Sequence, residues 1–191
     1  IPLRLVGSEM CIRDSRYIDR DLFVLPRQKS QPFLIQASDR AILKDSARYR
    51  VFEPNLQLSG ARTAYFHNAI GGYHGAKPRR FEELFEYFSA NQIEGVLDIL
   101  NVKYILFEKE KGQKFIQNPN AMGNAWFVDS LFVAVDADGV LNKMKSLNFK
   151  NGAILLACEA PENIKLTFSA DSLSRIHLTK AHPTRLEYKF N

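Results

Sequence analysis

The spacing of apolar residues predicts a helix near the middle of the chain. Phe81, Leu84, Phe85 and Phe88 recur at positions i, i+3, i+4 and i+7, which places them on one face of a helix. Glutamates fill intervening positions, and Pro78 suits the first turn of a helix. We therefore expect an amphipathic helix that anchors the preceding segment to the core.

Other apolar runs predict both helices and strands along the chain. Further helices are expected around residues 37–44, over 93–100 with Asn101 as a C-terminal cap, and after Asp136 or Asp138 as an N-terminal cap. Strands are expected at 49–52, at 102–107, on both sides of the NPNAMGNA loop within 115–135, and at 153–157. The alternation of Leu186, Tyr188 and Phe190 predicts a terminal hairpin. The expected fold class is α+β, with a mixed sheet, a few packed helices and a truncated β-hairpin from a β-rich module.

The composition excludes some classes of protein but does not indicate a function. The 191 residues, 46% of them hydrophobic, suffice for one sizeable core. The net charge of +5 is dispersed among 21 acidic residues, so we expect no nucleic-acid partner, which would need a clustered basic stripe. No run approaches the roughly 18 apolar residues of a membrane span. Cys158 follows an apolar run and is expected to be a buried small hydrophobe rather than a nucleophile.

The segment before the Phe-rich helix combines glycines with polar side chains. Gly71, Gly72 and Gly75 accept backbone conformations closed to other residues, so polar groups can be presented close to the backbone. The neighbouring side chains supply hydrogen-bond donors, aromatic faces and a candidate general base: His67, Tyr73, His74, Lys77, Arg79 and Arg80. This combination is typical of a contact surface on a loop held by a rigid scaffold.

No complete catalytic or metal-binding set forms around this loop. His67 and His74 lack a third ligand at a recognisable spacing, so we expect no metal, and GGYHGAK lacks the spacing of a phosphate-cradling loop. We also expect no cofactor and no catalytic residue in this chain. The cationic side chains at positions 77, 79 and 80 have two equally supported roles. They can contact a phosphate near the helix N-terminus, or they can be solvated surface charges.

A second group of interest lies around residues 118–126. Asn118 and Asn124 place amides beside Trp126, and amides with an aromatic ring suit the hydroxyls and C–H faces of sugars. The alternative is that Trp126 lies in a strand and belongs to the core.

Four segments, in order and spacing, resemble the extracytoplasmic part of YfhO-type bacterial membrane proteins. They are ASDRAILKDSARYRVFEPN at 37–55, YFHNAIGGYHGAKPRRFEEL at 65–84, VLDILNVKYILFE at 96–108 and NPNAMGNAWFVDS at 118–130. The resemblance covers roughly residues 16–191. Several motifs in register are more specific than any single short pattern.

The resemblance implies a function on the outer side of the bacterial cytoplasmic membrane. YfhO-type proteins are polytopic, glycosyltransferase-like proteins that use a lipid-phosphate-linked sugar, some in glycosylation of cell-envelope polymers. The catalytic carboxylate of such enzymes is expected in the transmembrane part, so this fragment would bind donor or acceptor without being catalytically complete. Phosphate contacts are then expected from Lys77, Arg79 and Arg80, and sugar contacts from Tyr73, His74 and Asn124.

Two other functions remain open at this stage. The domain can be purely structural, docking through its glycine-containing loop onto its own transmembrane bundle, or it can be a carbohydrate-binding module. The expected partners are the transmembrane domain and either a lipid-phosphate-linked sugar or a cell-envelope glycopolymer.

The N-terminal residues differ in character from the rest. VGSEMCIRDS, at positions 6–15, resembles a translated sequencing adapter, and we expect residues 1–15 to be a disordered artefact. Excluding Cys11 with this segment leaves Cys158 without an internal disulfide partner. We expect an α+β domain over residues 16–160 and the start of a truncated β-rich module over 161–191.

Overall fold

The computed structural model describes residues 23–73, 75–91, 95–110, 112–169, 174–182 and 184–191. The chain divides into two compact units, residues 1–35 and 36–191. The expected artefact at residues 1–15 lies outside the described residues, as does His74. Within the first unit, the described part holds a short helix, α1 (Pro26–Ser30), which begins with its proline in the first turn.

The second unit carries the remaining helices and strands. In chain order they are α2 (Ala37–Ile42), β1 (Arg50–Phe52), α3 (Ala61–Phe66), α4 (Arg79–Asn91), α5 (Val96–Ile99), β2 (Val102–Lys109), β3 (Gly112–Gln117), β4 (Ser130–Ala134), α6 (Ala137–Met144), β5 (Gly152–Leu156), β6 (Ile176–His182) and β7 (Arg185–Phe190).

A three-stranded mixed sheet in the order β1-β2-β3 forms the centre of this unit. β1 runs parallel to β2, and β2 forms an antiparallel hairpin with β3. The segment after α3 adds to the free side of β1, where Ala69 forms an isolated parallel bridge with Val51. The chain entering the glycine-containing loop is therefore tied to the sheet.

Two smaller sheets follow in the second half of the chain. β4 and β5 are parallel and are connected through α6, whose first turn is capped by Asp136: its Oδ1 accepts a hydrogen bond of 2.7 Å from the Gly139 N–H. β6 and β7 form a separate antiparallel hairpin with a register irregularity between Leu178 and Lys180. The expected cap and the expected hairpin are both confirmed.

The core of the unit consists of apolar clusters on both faces of the mixed sheet. Tyr104 and Leu106 of β2 pack with Ile42 of α2, whereas their neighbour Ile105 packs in a different cluster with Phe85. The Phe-rich helix α4 contributes residues to two clusters: Phe81 and Phe85 to the second, Leu84 and Phe88 to a third around Val96 and Met144. The predicted anchoring role of this helix is confirmed.

The predicted α+β class, with a mixed sheet and a terminal hairpin, is confirmed. Two local expectations are wrong. Trp126 lies in an irregular segment rather than a strand, and its indole N–H donates to the Phe149 carbonyl after α6. Cys158 is exposed, because β5 ends at Leu156 and the cysteine falls in the following turn.

Candidate functional site

The loop at residues 71–78, here called the contact loop, begins at a fixed position on the domain. The Ile70 N–H donates to the Val51 carbonyl over 3.1 Å, and the Gly72 N–H donates to the Leu58 carbonyl over 2.9 Å. Between them, Gly71 lies so close to Leu58 that a Cβ at this position would sit 2.4 Å from the Leu58 Cα. The start of the contact loop therefore requires glycine for packing within the domain.

Among the predicted side chains of the contact loop and the first turn of α4, Tyr73, Arg79 and Arg80 lie at the surface. Tyr73 is 86% exposed, and Lys77 is half-buried. Arg79 donates to Glu83 over 2.6 Å, one helical turn away, and Arg80 donates to Glu159 over 3.0 Å. Exposed ion pairs of this kind contribute little to stability, so both guanidinium groups can exchange their partners at small cost.

His67, which precedes the contact loop, belongs to a buried polar cluster. Its Nε2 lies 3.0 Å from Asp39 Oδ1, and both side chains are almost fully buried. Arg62 forms an ion pair with the other carboxylate oxygen of Asp39, which also accepts from the Gln36 N–H over 2.8 Å. Since an ionised carboxylate only accepts hydrogen bonds, His67 Nε2 carries the donated hydrogen. His67 thus holds the segment after α3 against α2.

The pKa of Asp39 reflects two opposing effects. Burial favours the neutral acid, but hydrogen bonds from the Gln36 N–H, His67 and Arg62 outweigh burial and hold the pKa of Asp39 below its ordinary value. Asp39 is therefore an ionised structural anchor, and sequence analysis did not single it out.

Two adjoining depressions lie on the domain where α5, β2 and the NPNAMGNA loop meet. The first, of about 570 Å³, extends toward β6, and the second, of about 370 Å³, extends toward Trp126. Both are lined by the same dividing residues: Arg48, Tyr49, Asn101, Gly123 and Asn124. Asn101 and Asn124 with the Arg48 carbonyl are here called the amide ridge.

The amide ridge is built around one backbone carbonyl. Asn101 Nδ2 donates to the Arg48 carbonyl over 2.9 Å, and Asn124 Nδ2 donates to the same oxygen over 3.1 Å. Asn101 Nδ2 also lies 3.4 Å from Asn124 Oδ1. These contacts leave Asn101 Oδ1 and one N–H of Asn124 without a hydrogen bond among the described residues. The ridge therefore keeps one acceptor and one donor for a ligand.

Local backbone geometry explains why these residues form a ridge. Asn101 follows α5 with a φ of +56°, the left-handed conformation that asparagine tolerates at the end of a helix. Its carbonyl accepts from the Arg50 N–H over 2.8 Å, which connects the helix end to β1. Gly123, with a φ of +82°, reverses the chain immediately before Asn124. The C-cap of α5 is Leu100, and Asn101, the predicted cap, is the left-handed residue that follows it.

A charged cluster supports the wall of the first depression. Lys103 forms an ion pair with Asp45, and the Tyr104 hydroxyl donates to the same carboxylate over 2.8 Å. Chiefly through the Lys103 hydrogen bond, the pKa of Asp45 falls to about 2. Burial, followed by the neighbouring Asp45, raises the pKa of Tyr104 to about 12. Asp45 is therefore ionised and Tyr104 neutral across the neutral pH range.

Trp126 forms one end of the second depression. Its Nε1–H donates to the Phe149 carbonyl over 3.0 Å, which fixes the ring, and the residue is half-buried. A fixed, partly accessible indole beside amides is a combination suited to sugar recognition. Trp126 was expected either to contact a sugar or to belong to the core. Its position beside the amide ridge favours contact with a sugar.

The structure groups some of the predicted site residues and separates others. Asn124 and Trp126 meet at the second depression. Asn118 lines the first depression, but its Nδ2 donates to Asp98 and to the Val102 carbonyl. Among the described residues, the lining of the two depressions includes no residue of the contact loop. Sequence analysis missed Arg48 as a site residue, because only its backbone carbonyl organises the ridge.

Comparison of the chain with protein-family models, with curated proteins and with solved structures finds no match. Within the described ranges, no helix has the length and apolar character needed to cross a membrane. The same part of the chain holds no group of three His, Cys, Asp or Glu side chains arranged to bind a metal ion.

Proposed function

We propose that this chain is the extracytoplasmic domain of a YfhO-type, polytopic membrane glycosyltransferase-like protein, and that its role is to bind carbohydrate. The four sequence segments that resemble this family support the first part. In this proposal the domain contacts a lipid-phosphate-linked sugar or a cell-envelope glycopolymer, while catalysis belongs to the transmembrane part.

The amide ridge is the observation that carries the carbohydrate-binding role. A sugar hydroxyl can donate and accept at once, and the ridge offers Asn101 Oδ1 as acceptor and an Asn124 N–H as donor. Trp126 provides an aromatic face next to them in the second depression. Ligand sites commonly combine such a small set of converging polar groups with aromatic surface.

The contact loop supports a separate contact with phosphate. Among the described residues, Arg79 and Arg80 form ion pairs only with exposed carboxylates. A phosphate can replace a carboxylate as the partner of a guanidinium group. Lys77 precedes them at the start of α4. The donor's lipid phosphate would then lie on a different surface from the glycan.

Binding measurements with the full chain test the carbohydrate role. The wild-type chain and Asn124→Ala are titrated calorimetrically with a panel of glucose, galactose, mannose and N-acetylglucosamine oligosaccharides. We expect binding to at least one series and a loss of about tenfold in affinity for Asn124→Ala, as expected for one lost hydrogen bond. Asn120→Ala is the matched control, because Asn120 lies in the same loop but outside both depressions.

Absence of binding to the whole panel, or equal losses in Asn124→Ala and Asn120→Ala, would contradict the carbohydrate role. The phosphate contact is tested separately with a polyprenyl-phosphate sugar in lipid nanodiscs. Replacing Lys77, Arg79 and Arg80 together by alanine should weaken that binding and leave glycan binding unchanged.

A structural docking role is the competing function, and the exposure of Tyr73 is the observation that favours it. At 86% exposed, Tyr73 is not packed into its own domain and is available to another surface. If docking is the role, the triple alanine variant should retain full transferase activity in the intact membrane protein, whereas the Tyr73→Ala variant should lower its assembly.

A further inference from the structure

The two depressions adjoin each other and share the residues of the amide ridge. Every residue of the ridge lines both sides: Arg48, Asn101 and Asn124. A ligand confined to one depression would use only one side of each amide. The residues that carry the unused acceptor and donor line both depressions, so a molecule that crosses the ridge can contact them.

The size of the depressions exceeds what one sugar unit needs. About 570 Å³ and about 370 Å³ both fall in the range of pockets that take drug-sized ligands, roughly 300 to 1,000 Å³. A single sugar ring is smaller than such a ligand. Each depression therefore has room for at least one sugar unit, so the surface fits a chain of linked sugars.

The two lysines of the first depression each lie near a carboxylate. Lys103 is already paired with Asp45, and Lys180 lies 3.9 Å from Glu187. A sugar hydroxyl needs no excess positive charge and can accept from an ammonium group that remains paired, because ammonium carries three donors.

We infer that the site binds an oligosaccharide of at least two sugar units laid across the amide ridge, with one unit in each depression. This inference rests on the proposed carbohydrate-binding function and specifies its ligand as a linear glycan rather than a single lipid-linked sugar. Trp126 stacks on the unit in the second depression, and the ridge amides bind hydroxyls on either side of the linkage.

Affinity as a function of chain length tests this assignment. For the same four sugar series, single-unit and four-unit members are compared by calorimetry on the full chain. We expect the four-unit member of at least one series to bind at least about tenfold more tightly than its single-unit member, equivalent to about 1.4 kcal/mol.

A blocking substitution then separates the two depressions. Ala181 on β6 lines only the first of them and is exposed, so Ala181→Trp should fill that depression without disturbing the core. We expect this variant to lose most of the gain in affinity between the single-unit and the four-unit glycan. Ala137→Trp makes the same substitution at the exposed start of α6, away from both depressions, and should bind glycans like wild type.

The possible outcomes distinguish this inference from the function on which it rests. If single sugars bind and added units bring no gain in affinity, the two-depression assignment is wrong while carbohydrate binding stands. The same conclusion follows if Ala181→Trp leaves four-unit binding unchanged. If no member of the panel binds, both proposals are overturned.

Discussion

At the residue scale, Asp39 connects parts of the chain that are far apart in sequence. Its buried carboxylate contacts His67 and Arg62 and accepts from the Gln36 N–H at the start of α2. Asp39→Asn removes the charge that both partners face and leaves a guanidinium group with a weaker acceptor. Because breaking a buried ion pair costs about 3–5 kcal/mol, we expect a loss of about that size in the free energy of unfolding.

Urea unfolding followed by circular dichroism measures this loss. Glu110→Gln makes a comparable change from carboxylate to amide at the exposed turn after β2, and should alter stability by less than about 0.5 kcal/mol. A similar small effect for Asp39→Asn would show that the buried cluster contributes nothing specific to folding.

Two lowered carboxyl pKa values give stability a defined dependence on pH. The pKa of Asp45 falls from 3.8 to about 2, chiefly through Lys103, and that of Asp39 is also lowered. A carboxyl that is more acidic in the folded state stabilises it above the unfolded-state pKa, and this contribution is lost as the pH falls through the folded-state value. We therefore expect the free energy of unfolding to decline as the pH is lowered from 3.8 toward about 2.

The Asp45→Asn variant identifies the source of that decline. It should be less stable than wild type at neutral pH, and its stability should fall less steeply on acidification because one of the two titrating groups is gone. Urea unfolding at pH values spaced across this interval is the measurement. Parallel curves for variant and wild type would contradict the assignment to Asp45.

At the element scale, the connection between β1 and the contact loop depends on one close backbone approach. A side chain at Gly71 would overlap the Leu58 backbone, which cannot move as the end of a flexible side chain can. Gly71→Ala should therefore destabilise the domain by about 1–3 kcal/mol, the usual cost of overpacking.

Gly75 provides the matched comparison, because a Cβ there would meet no atom within 4 Å. Gly75→Ala should leave the thermal midpoint near that of wild type, while Gly71→Ala lowers it. If both substitutions have equal effects, the contact loop is not fixed to the domain at Gly71.

Local elements were predictable because each depends on residues near one another in sequence. Such local signals mark the Phe spacing of α4, the Asp136 cap of α6, the left-handed Asn101 after α5 and the β6–β7 hairpin. The Asp39–His67 contact joins residues 28 positions apart, and the amide ridge joins Arg48 to Asn124 across 76. No local pattern marks these pairs, so Asn124 was found by its chemistry and Asp39 was not found at all.

At the scale of the whole molecule, burial is unevenly distributed between the strands. In β2, Val102, Tyr104 and Leu106 are buried, and hydrogen-bonded partners lie on both sides of this strand. Among the described residues, β6 and β7 pair only with each other, and neither strand contains a buried residue. Regions with few buried apolar contacts open at lower free energy than the core.

Amide hydrogen exchange followed by mass spectrometry should therefore rank the strands. We expect residues 102–109 to exchange most slowly and the hairpin at 176–182 and 185–190 to exchange fastest among the strands, because local opening of the hairpin leaves the core clusters intact. Since β6 lines the first depression and contains no buried residue, a four-unit glycan that binds there should slow exchange in β6. Protection of the free hairpin equal to that of β2 would show that it unfolds together with the core.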